Sequence, residues 1–87
     1  MVDLLVFSSG YCGPCRQMEA AGVYDAVRAA GFVIEKIDTQ VNPTLADRYG
    51  VRAIPTLIIR KDKVAVSRLV GARDAKTLID ALKLATN

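Results

Sequence analysis

Eighty-seven residues make one domain, spanning 1–87, and are too few for a second, since compact domains usually run from about 50 to 250 residues. Hydrophobic residues make up 52% of the chain and charged residues 24%, which excludes the polar, highly charged profile of a disordered segment. Twelve Lys and Arg against nine Asp and Glu give a formal +3 with no basic run, and 3 Tyr, 2 Phe and no Trp offer no base-stacking platform, so nucleic acid is not an expected partner.

From Val2 to Phe7 the run V-D-L-L-V-F is nearly all apolar and predicts a strand buried on both faces, central in a sheet. Ser8-Ser9-Gly10 breaks it. From Pro14 the pattern turns helical: Ala20, Val23, Val27 and Ala30 fall three or four apart, Pro14 suits the first turn, and Gly31 closes the helix. Gly22, inside this helix, predicts a bend. Phe32 to Asp38 alternates as a second strand, and a strand, a helix and a strand in succession predict a βαβ unit with parallel strands and a right-handed crossover.

Asn42-Pro43 opens a short helix over Pro43 to Tyr49, which Gly50 ends. Val51 to Asp62 contains Pro55 followed by T-L-I-I-R, and Lys63 to Val70 alternates after the turn at Lys61-Asp62-Lys63, predicting a hairpin. Asp74 caps a last helix with Ala75, Leu78, Ile79, Leu82 and Ala85 on the 3.6-residue period, expected to fray over Ala85-Thr86-Asn87. The expected order is βαβαββα, an α/β fold with a four-stranded mixed sheet flanked by three helices. The longest apolar stretches, Leu4 to Phe7 and Ile54 to Ile59, fall far short of the roughly 20 residues that span a bilayer, so no membrane partner is expected. Met1-Val2-Asp3 lacks the positive start of a signal peptide, and the expected location is cytoplasmic.

Chemistry rests on Cys12 and Cys15, because the chain has no histidine and every imidazole-dependent dyad or triad is excluded. In Y-C-G-P-C the pair lies where the first strand gives way to the first helix, the end of an α/β sheet where reactive groups gather. Unpaired N–H groups and the positive helix end favour a thiolate there, which makes Cys12 the expected nucleophile. Cys15, one turn later, is placed to attack a mixed disulfide on Cys12 and so to resolve it. Gly13 and Pro14 keep the sulfurs close and pre-set the helix start. A static staple or half of a metal knuckle is the competing reading, but a disulfide closing so small a loop removes little chain entropy.

Y-C-G-P-C, Ile37-Asp38, Y-G-V-R-A-I-P-T at Tyr49 to Thr56 and V-G-A at Val70 to Ala72 resemble the thioredoxin family over nearly the whole chain. The resemblance implies a thioredoxin-like fold in which Pro55 is cis and faces the cysteine pair, and in which the Ile54 backbone pairs with bound substrate. It implies a peptide groove lined by Tyr11, Gly13, Pro14, Ala53, Ile54, Gly71 and Ala72. Departures accompany it. The chain opens directly at the central strand, with the length of a glutaredoxin. Tyr11 and Ser8 stand where the family has tryptophans, Val6 where it has a buried aspartate serving the resolving cysteine, and Ile34 where it has the lysine paired with that aspartate. Cys15 therefore lacks its usual base, with Asp38 among the groups able to take the proton instead.

The implied function is a thiol–disulfide oxidoreductase reducing disulfide-containing proteins, with no bound cofactor, as a monomer recharged by an NADPH-dependent thioredoxin reductase. Alternatives are a glutaredoxin-like protein recharged by glutathione, a non-catalytic binding subunit, and a metal or iron–sulfur dimer sharing thiolates. Against glutathione, Ala72 follows Gly71 where glutaredoxins carry a second glycine. Tyr24, Tyr49 and Met18 read as packing residues, Arg16 equally as a cation able to stabilise a neighbouring thiolate or as a solvated first-turn side chain, and Arg52, Arg60, Arg68 and Arg73 as solvated strand and loop edges.

Overall fold

The computed structural model describes residues 1–87. The elements are β1 (Val2–Ser8), α1 (Gly13–Ala20), α2 (Val23–Ala29), β2 (Val33–Asp38), α3 (Pro43–Arg48), β3 (Thr56–Lys61), β4 (Val64–Val70) and α4 (Ala75–Thr86). The sheet order is β2-β1-β3-β4, with β1 parallel to β2 and antiparallel to β3, and β3 antiparallel to β4. The mixed sheet and the βαβ opening agree with the sequence; the helix count does not. Four helices form where three were expected, because Gly22 takes a left-handed φ of 74° and parts α1 from α2. A side chain is strained in that region, so glycine makes it an economical place to turn the chain.

Alternation along β1 explains its unbroken apolar run. Leu4 and Val6 join Leu57 and Ile59 of β3 under Met18, Val23, Tyr24, Val27, Leu78 and Leu82, the inward side chains of α1, α2 and α4. Leu5 and Phe7 point the other way and form a smaller cluster with Ile58, Ile37 and Ala46 of α3. With a neighbour on each side and helices over both faces, β1 has no solvated face, and even its one charged residue, Asp3, is buried.

Asp3 is paired in register with Arg60 on β3, one step beyond Leu5 and Ile58 on the α3 face. Both are buried, and the guanidinium grips the carboxylate with Nε at 3.0 Å and Nη2 at 2.7 Å. Arg60 also donates to Glu35 at 3.2 Å and to the Tyr49 hydroxyl at 3.3 Å. The expectation of a solvated Arg60 is thus corrected: it sits in a buried ion pair, and its hydrogen bonds to Asp3 push its pKa further above the ordinary arginine value. Helix α4 is helical as far as Thr86, whose hydroxyl donates to the Leu82 carbonyl at 2.8 Å. At its other end Asp74 accepts the Thr77 N–H at 2.9 Å, the expected cap.

Candidate active site

Helix α1 begins at the C-terminal end of β1, and the residue that caps it is Cys12. Its backbone is extended (φ −88°, ψ 108°), and its sulfur accepts the Cys15 N–H at 3.2 Å, in the role a serine or aspartate oxygen usually fills. Pro14 occupies the first turn, where the missing N–H costs no hydrogen bond. Cys12 and Cys15 are joined as a disulfide, with Cα atoms 5.2 Å apart. They are 6% and 5% exposed, so the pair sits just under the surface, open at an edge and otherwise packed.

The sheet brings Pro55 and Gly71 to the same end. Phe7 on β1 pairs with Thr56 on β3, and Thr56 with Val70 on β4, so the residues just outside these pairs are Ser8, Pro55 and Gly71. The Ile54–Pro55 bond is cis, as the resemblance implied. Gly71 N–H donates to the Pro55 carbonyl at 2.8 Å, and the Thr56 hydroxyl to the Ala53 carbonyl at 2.6 Å, which ties the two loops together. Ala53 and Ala72 are exposed, Gly13, Ile54 and Gly71 half-buried, and Tyr11 stands out at 84% exposure. Ala72 also borders an apolar hollow of about 320 Å³ shared with Met18, Ala21 and Val23.

Two arginines taken for solvated edges hold these loops. Arg68 on β4 donates to the carbonyls of Tyr49 and Gly50, at the end of α3. Arg73 donates to the Val70 and Ala72 carbonyls at 3.0 and 3.2 Å. The Arg68 contact has no local signal, since it depends on where the chain returns, whereas Arg73 bonds carbonyls within three residues of itself. Val6 and Ile34 lie in or against the apolar cluster beneath α1, so the positions where the family carries an acid and a lysine are greasy here. The structure adds a feature the sequence reading did not assemble: a polar pocket of about 410 Å³ beside Cys15, lined by Ser8, Ser9, Gly10, Arg16, Glu19, Tyr24, Lys36 and Asp38. Lys36 pairs with Glu19 at 3.2 Å and lies 5.0 Å from the Tyr24 ring centre. Burial, aided by the Glu19 charge, raises the Tyr24 phenol above its ordinary pKa. One fragment of this pocket was visible in advance, because Cys15 and Glu19 stand four apart on one helix.

The family model for thioredoxin matches residues 2–84. The chain belongs to the thioredoxin family. It is 39% identical over 82 residues to thioredoxin 1 of Synechococcus elongatus, covering 91% of this chain and 75% of that protein. With the thioredoxin of Staphylococcus epidermidis it shares 37% identity over 86 residues, covering 93% and 79% respectively. Among solved structures, a mutant thioredoxin from Halobacterium salinarum superposes with a TM-score of 0.89 at 35% identity, over 99% of this chain and 75% of the other. As a thioredoxin-family member the protein is a thiol–disulfide oxidoreductase with protein-disulfide reductase activity. No group of three or more Cys, Asp or Glu side chains converges in a metal-holding arrangement, and the Cys12–Cys15 pair suits the dithiol that the family uses. No helix is long and apolar enough to cross a membrane.

Proposed function

We propose that residues 1–87 act as one domain in which Cys12 is the attacking sulfur and Cys15 the resolving one. The observation that carries this assignment is the helix cap: the Cys12 sulfur, not that of Cys15, receives an N–H at the positive end of α1. In the reduced protein that donor favours a thiolate on Cys12, and the thiolate is the nucleophile. It attacks one sulfur of a substrate disulfide, forming a mixed disulfide and releasing the other as a thiolate. Cys15 loses its proton and attacks Cys12, forming the intramolecular disulfide and releasing the second substrate thiol. Two electrons pass from dithiol to substrate, with no bound cofactor.

Gly13 and Pro14 hold the turn between the sulfurs. Tyr11, Ala53, Ile54, Gly71 and Ala72, gathered around Pro55, form the surface that takes an extended substrate segment through its backbone. A thioredoxin reductase drawing on NADPH restores the dithiol of the monomer, and a cytoplasmic setting belongs to this reading because a dithiol reductant must be kept reduced. The test is dithiothreitol-driven reduction of insulin disulfides by the wild type, Cys12→Ser and Cys15→Ser. Both variants should lose turnover, and only Cys15→Ser should accumulate a mixed disulfide. Trapping by Cys12→Ser instead would reverse the assignment. Recharging by glutathione alone, with no response to reductase and NADPH, would replace the donor.

A further inference from the structure

The hydrogen bond between the cysteines serves Cys12, whereas Cys15 must also give up a proton, and Val6, at the position where the family carries an acid, belongs to the apolar cluster. What Cys15 has instead is the polar pocket. On β2, Ile34, Lys36 and Asp38 share the sheet face of Leu4, Val6 and Ser8, with Lys36 in register with Val6. The face that is apolar at Val6 therefore becomes charged one strand over.

Four acidic and basic side chains line the pocket. Arg16 and Glu19 come from α1, Lys36 and Asp38 from β2, and burial holds the Tyr24 phenol from α2 above its ordinary pKa. Their roles differ. Asp38 is occupied by the turn that follows β2, accepting the N–H groups of Gln40 at 2.8 Å and Val41 at 3.4 Å. Arg16 points from an exposed position on α1. Asp25 and Arg28, the remaining charges of α2, pair with each other at 3.6 Å away from the pocket. Lys36 alone is fixed from two sides, by Glu19 at 3.2 Å and by the Tyr24 ring at 5.0 Å, which also leaves its side chain only 36% exposed. A cation over an aromatic face and against a carboxylate keeps its place.

We propose that Lys36, held by Glu19 over the Tyr24 ring, is a positioning residue for the resolving step, its ammonium favouring the Cys15 thiolate that attacks the mixed disulfide. This rests on the reading that Cys15 resolves. In that step the Cys15 S–H proton leaves through the pocket to solvent, the Cys15–Cys12 bond forms and the Cys12–substrate S–S bond breaks. The departing thiolate takes up a proton from water, and no outside oxidant or reductant enters.

The test mixes the reduced protein with dithiobis(nitrobenzoate) in a stopped-flow instrument, where each of the two exchange steps releases one coloured thiolate. The second phase, independent of reagent concentration, reports Cys15, and its rate is followed against pH. Lys36→Met should move the midpoint of that profile up by about half a pH unit, the scale of one partly screened charge lining the same pocket. Lys36→Arg should restore it. Glu19→Gln, which removes the opposite charge, should move it down. Both shifts should shrink in about 1 M salt, where the screening length falls to about 3 Å. Unchanged midpoints, or shifts of the same sign in Lys36→Met and Glu19→Gln, would overturn the proposal, since a structural role for the pair predicts no sign reversal. Cys15→Ala separates the underlying reading: loss of the second phase with the first intact supports it, and persistence of both phases overturns assignment and proposal together.

Discussion

Replacing Asp3 by Ala should be among the most damaging single changes away from the active site. Asp3 and Arg60 are 4% and 7% exposed, and the carboxylate receives two guanidinium hydrogen bonds, so its removal leaves a buried cation with poorer partners. Breaking such a pair costs about 3–5 kcal/mol. The lower end applies here, because Glu35 and the Tyr49 hydroxyl still touch Arg60. A domain of this length is stable by about 4–13 kcal/mol, so a loss of about 3 kcal/mol removes a large share and lowers Tm by about 12–24 °C. The apolar double variant Asp3→Leu/Arg60→Met should fall within about 1 kcal/mol of wild type, because desolvating the ions offsets most of their attraction. Urea unfolding of Asp3→Leu, Arg60→Met and the double variant gives the cycle, with Asp3→Ala measured beside it. The loss should leave catalysis by the folded fraction unchanged, since Asp3 lies five residues along β1 from Ser8, about 17 Å of strand. An Asp3→Ala cost under about 1 kcal/mol, or a double variant as unstable as the sum of the singles, would refute the reasoning.

Tyr24→Phe should raise stability by up to about 1 kcal/mol in urea unfolding, because the buried Tyr24 hydroxyl has no hydrogen-bond partner; a loss of that size would show that it does. Gly22→Ala should cost about 1–2 kcal/mol by the same assay, all of it from the left-handed backbone, since nothing lies within 4 Å of the added Cβ. Asp74→Ala should lower Tm at neutral pH and lose that effect in acid. The Thr77 hydrogen bonds hold the Asp74 pKa below its ordinary value, so its stabilising contribution is complete above the unfolded-state pKa and disappears as pH falls through the folded one. Thermal melts of both proteins from neutral to strongly acidic pH should therefore converge. Arg68→Ala should slow insulin reduction more than it slows cleavage of a small aryl disulfide, because it frees the Tyr49–Gly50 carbonyls that hold the loop before Pro55; equal effects on both substrates would count against that role.

Much of the site was legible beforehand because its signals are local. The cysteine spacing, the break after β1, Pro14 in a first turn and the cap at Asp74 all involve groups within four residues of one another, where hydrogen-bond geometry and residue type decide the outcome. Gly22 lay between the two cases. Its residue type announced a bend, but the choice of bend or break depended on α1 and α2 each packing its own side chains onto the sheet.

By itself the sequence determined the alternation of strands and helices, the family, and a reactive pair at a strand-to-helix junction, since these follow from periodicity and from motifs contiguous along the chain. Tertiary structure alone decided which charges met. Asp3 and Arg60 are 57 positions apart, Glu19 and Lys36 are 17 apart, and Arg68 reaches back 19 residues to Tyr49. An arginine on an exposed loop and one buried against an aspartate look alike in sequence. The difference is made by strand register, which sets partner and solvent exposure together, and register is settled only when the whole sheet has formed.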